Sequence, residues 1–214
     1  MKQGMPDYIV VEGPIGVGKT TLAKKLAGSL NTDLLLESAE ENPFLSRFYA
    51  DPKNAALPTQ LFFLFQRAKQ VEILRQTDMF RPVHVADFLI EKDKLFASIT
   101  LDDDELDLYH QVYERLTLNV PSPDLVIYLQ APVDNLMQRI NQRGREYEKP
   151  ISRRYLKKIS NAYIDFFYYY SSSPLLIVNT QDFDLSNNEE HYALLMEHIK
   201  QLPPGRHFFN PKQS

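Results

Sequence analysis

Five short runs rich in aliphatic and β-branched residues, Tyr8–Glu12, Leu34–Glu37, His84–Asp87, Leu125–Gln130 and Leu175–Asn179, alternate with longer stretches whose apolar residues recur at helical spacing. The spacing predicts helices over Thr20–Leu30, Thr59–Thr77, Asp104–Leu118, Val133–Arg143, Ser152–Tyr170 and Glu189–Lys200, with Pro58, Pro121, Pro123, Pro132, Pro150 and Pro174 at their borders. This alternation predicts an α/β fold, a five-stranded parallel sheet with helices on both faces. Neither an internal repeat nor a linker interrupts it, so residues 1–214 read as one domain. The tail from Pro203, "PPGRHFFNPKQS", is expected to lie on the surface or fray. In an open sheet of this kind, ligands gather at the carboxyl ends of the strands. The stretches to watch are therefore Gly13–Thr20, Glu37–Pro43, Asp87–Asp93 and the surroundings of Gln130.

Composition narrows the function classes. A chain of 214 residues with 43% hydrophobic residues can bury one sizeable core. The absence of cysteine rules out disulfides and thiolate metal sites; it suits a reducing cytoplasm and leaves oxygen ligands for any metal. No apolar run approaches the length of a membrane span, and none near the start is long enough for a signal-peptide core. A net charge of −4 argues against a nucleic-acid polymer as partner, because neutralising a phosphate backbone needs a basic face. Small molecules are the expected ligands.

The first of the marked stretches carries chemistry. Gly13-Pro14-Ile15-Gly16-Val17-Gly18-Lys19-Thr20 satisfies the phosphate-binding P-loop pattern, with a strand before it and a helix, starting with Thr20 and Thr21, after it. Its glycines let backbone N–H groups curl round phosphate oxygens, Lys19 adds a point charge, and the Thr20 hydroxyl can ligate Mg²⁺. The expected donor is therefore ATP with Mg²⁺.

Other strand ends supply possible partners. Asp87 closes the apolar run "HVAD", where P-loop enzymes place a carboxylate that helps hold the metal; it could equally cap the following helix. Glu37 follows the second run, expected near the first, and could accept the proton of a hydroxyl attacking the terminal phosphate, or be a loop acid. In "RINQRGR", Arg139, Arg143 and Arg145 could close over a triphosphate as a lid at about 143–150, or simply complement a helix end. The five histidines show no metal-ligand spacing. The aromatic run "DFFYYY" lacks the basic frame of a nucleic-acid surface and reads as core or dimer packing.

Taken with the P-loop, the segments "ESAEENPF", "TQLFFLFQR", "DFLIEKDKLFA" and "RINQRGREYEKPISRRYL" follow the order and spacing of the deoxynucleoside kinases from about Tyr8 to Tyr155. The chain resembles that family, especially its bacterial deoxyadenosine and deoxyguanosine kinase branch. The resemblance implies a P-loop kinase fold, a homodimer, and transfer of phosphate to the 5′-hydroxyl of a deoxynucleoside. It also implies that Glu37 contacts that hydroxyl as base and that Asp87 matches the acid of an Asp/Glu-Arg-Ser motif, itself sometimes named as proton acceptor. Tyr49 and Glu148 match the residues that hold the 3′-hydroxyl, and Gln60 the amide facing the base. Arg67 and Asp93 match a charged pair that thymidine-preferring relatives lack, which points to deoxypurines, with deoxycytidine as a further candidate. Gln60 and Arg67 lie two turns apart on one helix face, so both can look into one pocket. Phe62, Phe63, Phe65 and Phe96 could sandwich a flat base, although core packing is their default reading.

One departure stands out: Phe88 and Leu89 occupy the positions of the family's arginine and serine. Either another cation, from among Lys92, Arg47 and the lid arginines, covers the transferred phosphate, or activity is low. Lys92 lies one turn beyond Phe88 if a helix begins that early; otherwise it is a solvated lysine. Three rival readings share the P-loop: a GTPase switch, a nucleoside monophosphate kinase such as one acting on thymidylate, and a catalytically weak nucleotide-binding relative. The first fits poorly, since "NTQD" lacks the lysine of a guanine-reading tetrad and "DFLI" lacks the glycine of a switch.

Overall fold

A computed structural model describes residues 5–77, 84–116, 120–181, 183, 185 and 188–210. Every strand pairing in it is parallel. In chain order the elements are β1 (Tyr8–Glu12), α1 (Lys19–Leu30), β2 (Asp33–Leu35), α2 (Leu45–Ala50), α3 (Pro52–Thr77), β3 (His84–Ala86), α4 (Lys92–Thr100) and α5 (Asp103–Leu116). They continue with β4 (Leu125–Gln130), α6 (Val133–Arg143), α7 (Arg153–Tyr169), β5 (Leu175–Asn179), α8 (Glu189–Lys200) and β6 (Arg206–Phe209). The last two residues expected for the helix that became α5 fall outside the described residues.

The sheet has six strands in the order β2-β3-β1-β4-β5-β6, one more than the sequence pattern predicts. The extra strand comes from the tail, which was expected to lie on the surface or fray: it lies at the surface, and four of its residues form an edge strand. β6 pairs with β5 from Leu175 opposite Arg206 to Val178 opposite Phe209. Three carbonyls at the end of α7, those of Phe167, Tyr168 and Tyr170, accept hydrogen bonds from Arg206 at 2.9–3.0 Å. Unpartnered carbonyls at a helix end attract a cation, and this one anchors the strand.

Side-chain alternation sorts each central strand between two cores. Ile9 and Val11 of β1, with Leu125, Ile127 and Leu129 of β4, face α1, α6 and α8. Val10, Val126 and Tyr128 face the opposite side, where Ile159, Tyr163 and Phe167 of α7 cover them. Within this second core, Phe167 stacks on Tyr128 at 4.2 Å between ring centroids. Of the aromatic run that ends α7, Phe167 and Tyr170 are core, whereas Tyr168 and Tyr169 are exposed.

Three differences from the sequence pattern bear on the site. Pro58 lies inside α3 rather than at its border, and the helix starts at Pro52. A proline as first helical residue costs nothing, and the one hydrogen bond lost at Pro58 is outweighed by burial of the flanking Ala55, Ala56, Thr59 and Gln60. The short helices α2 and α4 have too few turns to show a periodic pattern. Finally, β2 pairs with β3 and not with β1. Chain connections from β1 and β3 therefore leave in opposite directions, to β2 on one side and β4 on the other, which opens a crevice at their carboxyl ends.

Arg206→Ala should lower unfolding stability by about 1 kcal/mol, the scale of a cation at a helix C-terminus. Urea denaturation would measure this.

Candidate functional site

The loop between β1 and α1 occupies the crevice. It can do so only without side chains at two points: a Cβ on Gly13 would stand 2.5 Å from the Leu129 carbonyl oxygen, and one on Gly16 would stand 2.9 Å from that of Leu136. Both also have positive φ, 148° and 84°. The loop is thus pressed against β4 and α6, with Gly18 capping α1. Lys19 folds back and donates to the Gly13 carbonyl at 2.7 Å. Burial pulls the Lys19 ammonium down from its usual range to about 8; Lys92 adds to this, while the Glu12 and Asp87 carboxylates oppose it.

Asp87, directly after β3, ties the crevice together. Its Oδ2 accepts from the Thr20 hydroxyl at 2.5 Å, and its Oδ1 accepts from the Glu37 backbone N–H at 2.7 Å. Burial pushes its carboxyl up, against the pull of the Thr20 hydrogen bond and of Lys19 and Lys92. Glu37 therefore reaches the P-loop across β3, through Asp87, and not as a neighbour of β1. Thr20 and Asp87 offer adjacent hard oxygens beside the phosphate loop, a donor set that fits a Mg²⁺ ion sharing its shell with phosphate and water.

A cavity beside the P-loop gathers most of the residues singled out from the sequence: Lys19, Thr20, Glu37, Tyr49, Gln60, Arg67, Asp87, Arg143, Arg145 and Glu148 all line it. The Glu37 carboxylate is paired on both oxygens, Oε1 with Arg67 and Oε2 with Lys92 at 3.3 Å. Arg67, on α3, reaches Asp93 with its other terminal nitrogen. Asp93 is not part of the cavity lining; it is buried behind Arg67. Gln60 lies on the same α3 face and donates to the Thr100 hydroxyl at 3.3 Å. Phe63 and Phe96 line the cavity, whereas Phe65 is 54% exposed on the outside.

The stretch expected to form a lid joins α6 to α7. Gly144, in the left-handed region, ends α6, and a 3-10 turn at Glu146–Glu148 leads to the Ser152 cap of α7. Arg143 makes a two-point contact with Glu148, at 3.1 and 2.6 Å, and Arg145 donates to the Tyr147 hydroxyl at 2.7 Å. Tyr49 packs edge-on against Tyr155. Arg139 stands apart from the cavity, bonded to the Val17 carbonyl of the P-loop at 3.3 Å and to Thr180 beyond β5 at 2.7 Å.

Phe88 and Leu89 are core residues of the α7 side and do not face the cavity. Lys92 does. It is the first residue of α4, so Phe88 precedes the helix and the two share no helix face. Its position comes instead from the turn formed as its N–H bonds the Leu89 carbonyl at 3.1 Å. At 2% exposure it is not a solvated lysine. Arg47, by contrast, is exposed on α2 over the Phe44 ring. Sequence reasoning missed Glu12, Tyr155 and Tyr163. Only Glu12 left a signal, as a charge ending an apolar strand on the same side as Val10.

A parallel sheet with a P-loop at its switch point, an acid at the end of the neighbouring strand and an arginine-bearing lid define a P-loop kinase. Residues 9–203 match the deoxynucleoside kinase family. The chain is 36% identical to a deoxyguanosine kinase of Bacillus subtilis over 203 residues, covering 91% of this chain and 97% of that one. It is 31% identical to a deoxyadenosine/deoxycytidine kinase of the same organism, covering 89% and 90%. A solved structure of deoxyadenosine kinase from M. mycoides with bound dATP superposes with a TM-score of 0.78 at 25% identity, over 91% of this chain and all of the other. The chain belongs to the deoxynucleoside kinase family, and it is an enzyme that phosphorylates deoxynucleosides.

With the Lys19 ammonium titrating near pH 8, nucleotide binding should be linked to protons. A triphosphate beside Lys19 raises its pKa, so binding takes up about half a proton at pH 8 and almost none well below it. Calorimetric titration in buffers of different ionisation enthalpy would show this, and the uptake should vanish in Lys19→Ala.

Proposed function

We propose that the enzyme transfers the terminal phosphate of ATP to the 5′-hydroxyl of a deoxypurine nucleoside, with Glu37 as the base. The observation that carries this reading is a single cavity in which Glu37 and Lys19 face a common space, lined farther on by Gln60, Arg67, Tyr49 and Glu148. The base lies towards Gln60 and Arg67, between Phe63 and Phe96. Tyr49 and Glu148 hold the sugar, which directs the 5′-hydroxyl to Glu37. Glu37 takes the hydroxyl proton as the oxygen bonds to the terminal phosphorus, and the bond to the bridging oxygen of ADP breaks. Lys19, Arg143 and Arg145 neutralise the charge that builds up on the phosphates, and Arg139 steadies the P-loop from its outer side.

Thr20 and Asp87 would hold Mg²⁺, whose contribution is further neutralisation of the phosphates. Lys92 takes the part of the missing arginine. An ammonium has three N–H donors, so one engaged with Glu37 can still reach the transferred phosphate. The deoxypurine preference is supported by the Arg67–Asp93 pair and by the names of the bacterial relatives. Phe65 and Leu108, exposed on α3 and α5, support a homodimer, and a chain without cysteine suits the cytoplasm. Among the described residues, no helix is long and apolar enough to cross a membrane.

A phosphate-transfer assay with ATP against deoxynucleosides, ribonucleosides and monophosphates tests the reading. Deoxyguanosine or deoxyadenosine should exceed thymidine by tenfold to about a hundredfold, because thymidine leaves buried polar groups unmatched at about 1–3 kcal/mol each. A monophosphate or thymidine as best substrate overturns it. Glu37→Gln should lower turnover by about a hundredfold or more while ATP binding persists, and retention of a tenth of the rate removes Glu37 as base. Lys92→Met should lower kcat by about a hundredfold with little change in nucleoside KM; an unchanged kcat excludes Lys92 from the transition state.

A further inference from the structure

Glu12 is the last residue of β1, and no part of its surface is exposed. A carboxylate at that depth persists only if charges and donors surround it. It is surrounded from four directions. Its Oε2 accepts from the Gly13 backbone N–H at 2.8 Å and from the Tyr163 hydroxyl of α7 at 2.9 Å. Its Oε1 accepts from the Leu89 backbone N–H at 2.9 Å and pairs with the Lys92 ammonium at 3.0 Å. Burial alone would raise the Glu12 carboxyl, but Lys92, Lys19 and the two backbone donors outweigh it and hold the group below its usual range.

The geometry matters because of where these four partners sit. Gly13 opens the phosphate loop, Leu89 follows the residue standing in place of the arginine, and Lys92 touches Glu37. Of the other carboxylates near Lys92, Asp87 is bonded to the Thr20 hydroxyl and the Glu37 N–H, and neither of the remaining two can fix the ammonium as Glu12 does. Glu37 has to give up its pairing when a hydroxyl arrives, and Asp93 is engaged by Arg67. Burial otherwise drives the Lys92 ammonium towards its neutral form, and Glu12 is the strongest influence against this.

Resting on the reading of Lys92 as the phosphate-facing cation, we propose that Glu12 is a positioning residue: it holds the Lys92 ammonium beside Glu37 and fixes that ammonium relative to the first residue of the phosphate loop. Glu12 touches no substrate. It acts by tying a cation from α4 to the strand that carries the loop, which replaces an arginine built into the chain next to Asp87 with a lysine held by a buried counter-charge. Tyr163 completes the arrangement from α7 by occupying the second carboxylate oxygen.

A double-mutant cycle separates this role from a merely structural one. In Glu12→Gln, kcat should fall by about thirtyfold or more, with the KM for nucleoside within about threefold, and the alkaline limb of the kcat profile should move to lower pH as Lys92 loses its counter-charge. In the Lys92→Met background the same substitution should cost less than about threefold, since the group it acts through is gone. An equal loss in both backgrounds overturns the proposal and makes Glu12 a scaffold of the loop alone. Unchanged kcat in Lys92→Met overturns the Lys92 reading itself, a distinct failure. Where Glu12→Gln does not fold, Glu12→Asp takes its place in the cycle. It keeps the buried charge but draws it back by one methylene, and the same pattern of loss only with Lys92 present is expected.

Discussion

Everything at the active end of this molecule depends on charges that have been taken out of water. Asp93, Arg67, Glu37, Lys92 and Glu12 form an unbroken series of alternating sign, each member paired with the next. A charge in such surroundings is tolerated only while its partners remain in place, and removing one exposes its neighbour to the full cost of desolvation. The series starts on α3 and α4, crosses the end of β2, and finishes on β1. Four elements distant in sequence, which also share an apolar core, are thereby fixed in direction as well as in place, since apolar packing is governed by shape more than by direction.

The sheet sets the place where this series can exist. Since β3 separates β2 from β1, Asp87 at its end stands between Glu37 and the P-loop helix, with one oxygen on each side. The same carboxylate thus spaces Glu37 from the phosphate loop. Its neighbours in sequence, Phe88 and Leu89, turn into the core and release the chain into α4, which brings Lys92 back to the cavity. A tight turn at Leu89–Lys92 thus sets a cation in the cavity wall.

The legible parts of the site were those whose meaning is local. A phosphate loop is written in consecutive residues because backbone geometry makes it, and acids at strand ends stand out against apolar runs, so Glu37 and Asp87 could be marked without a structure. Glu12 stands out in the same way, as a charge ending an apolar strand, but its partners do not: it meets Lys92 and also Tyr163, which is 151 positions away, and no pattern in one dimension records such a meeting. The helices α2 and α4 complete too few turns to display a period, and Pro58 mimics a boundary inside α3, where its surroundings are buried. The tail lies at the surface as its composition predicts, but its prolines and glycine hide a four-residue strand that gains its stability from β5 and α7.

That strand has a consequence for how copies of the chain can meet. A sheet ends in rows of unpaired amides and carbonyls that invite another chain to continue it, and proteins discourage this by keeping the outermost strands short or interrupted. Here one margin, β2, is three residues long, and the other, β6, is four and follows directly on a Pro-Pro-Gly sequence. Neither offers a template on which a foreign strand could run for more than a few bonds. Among the described residues, association by continuing the sheet is therefore limited to a few bonds at either margin.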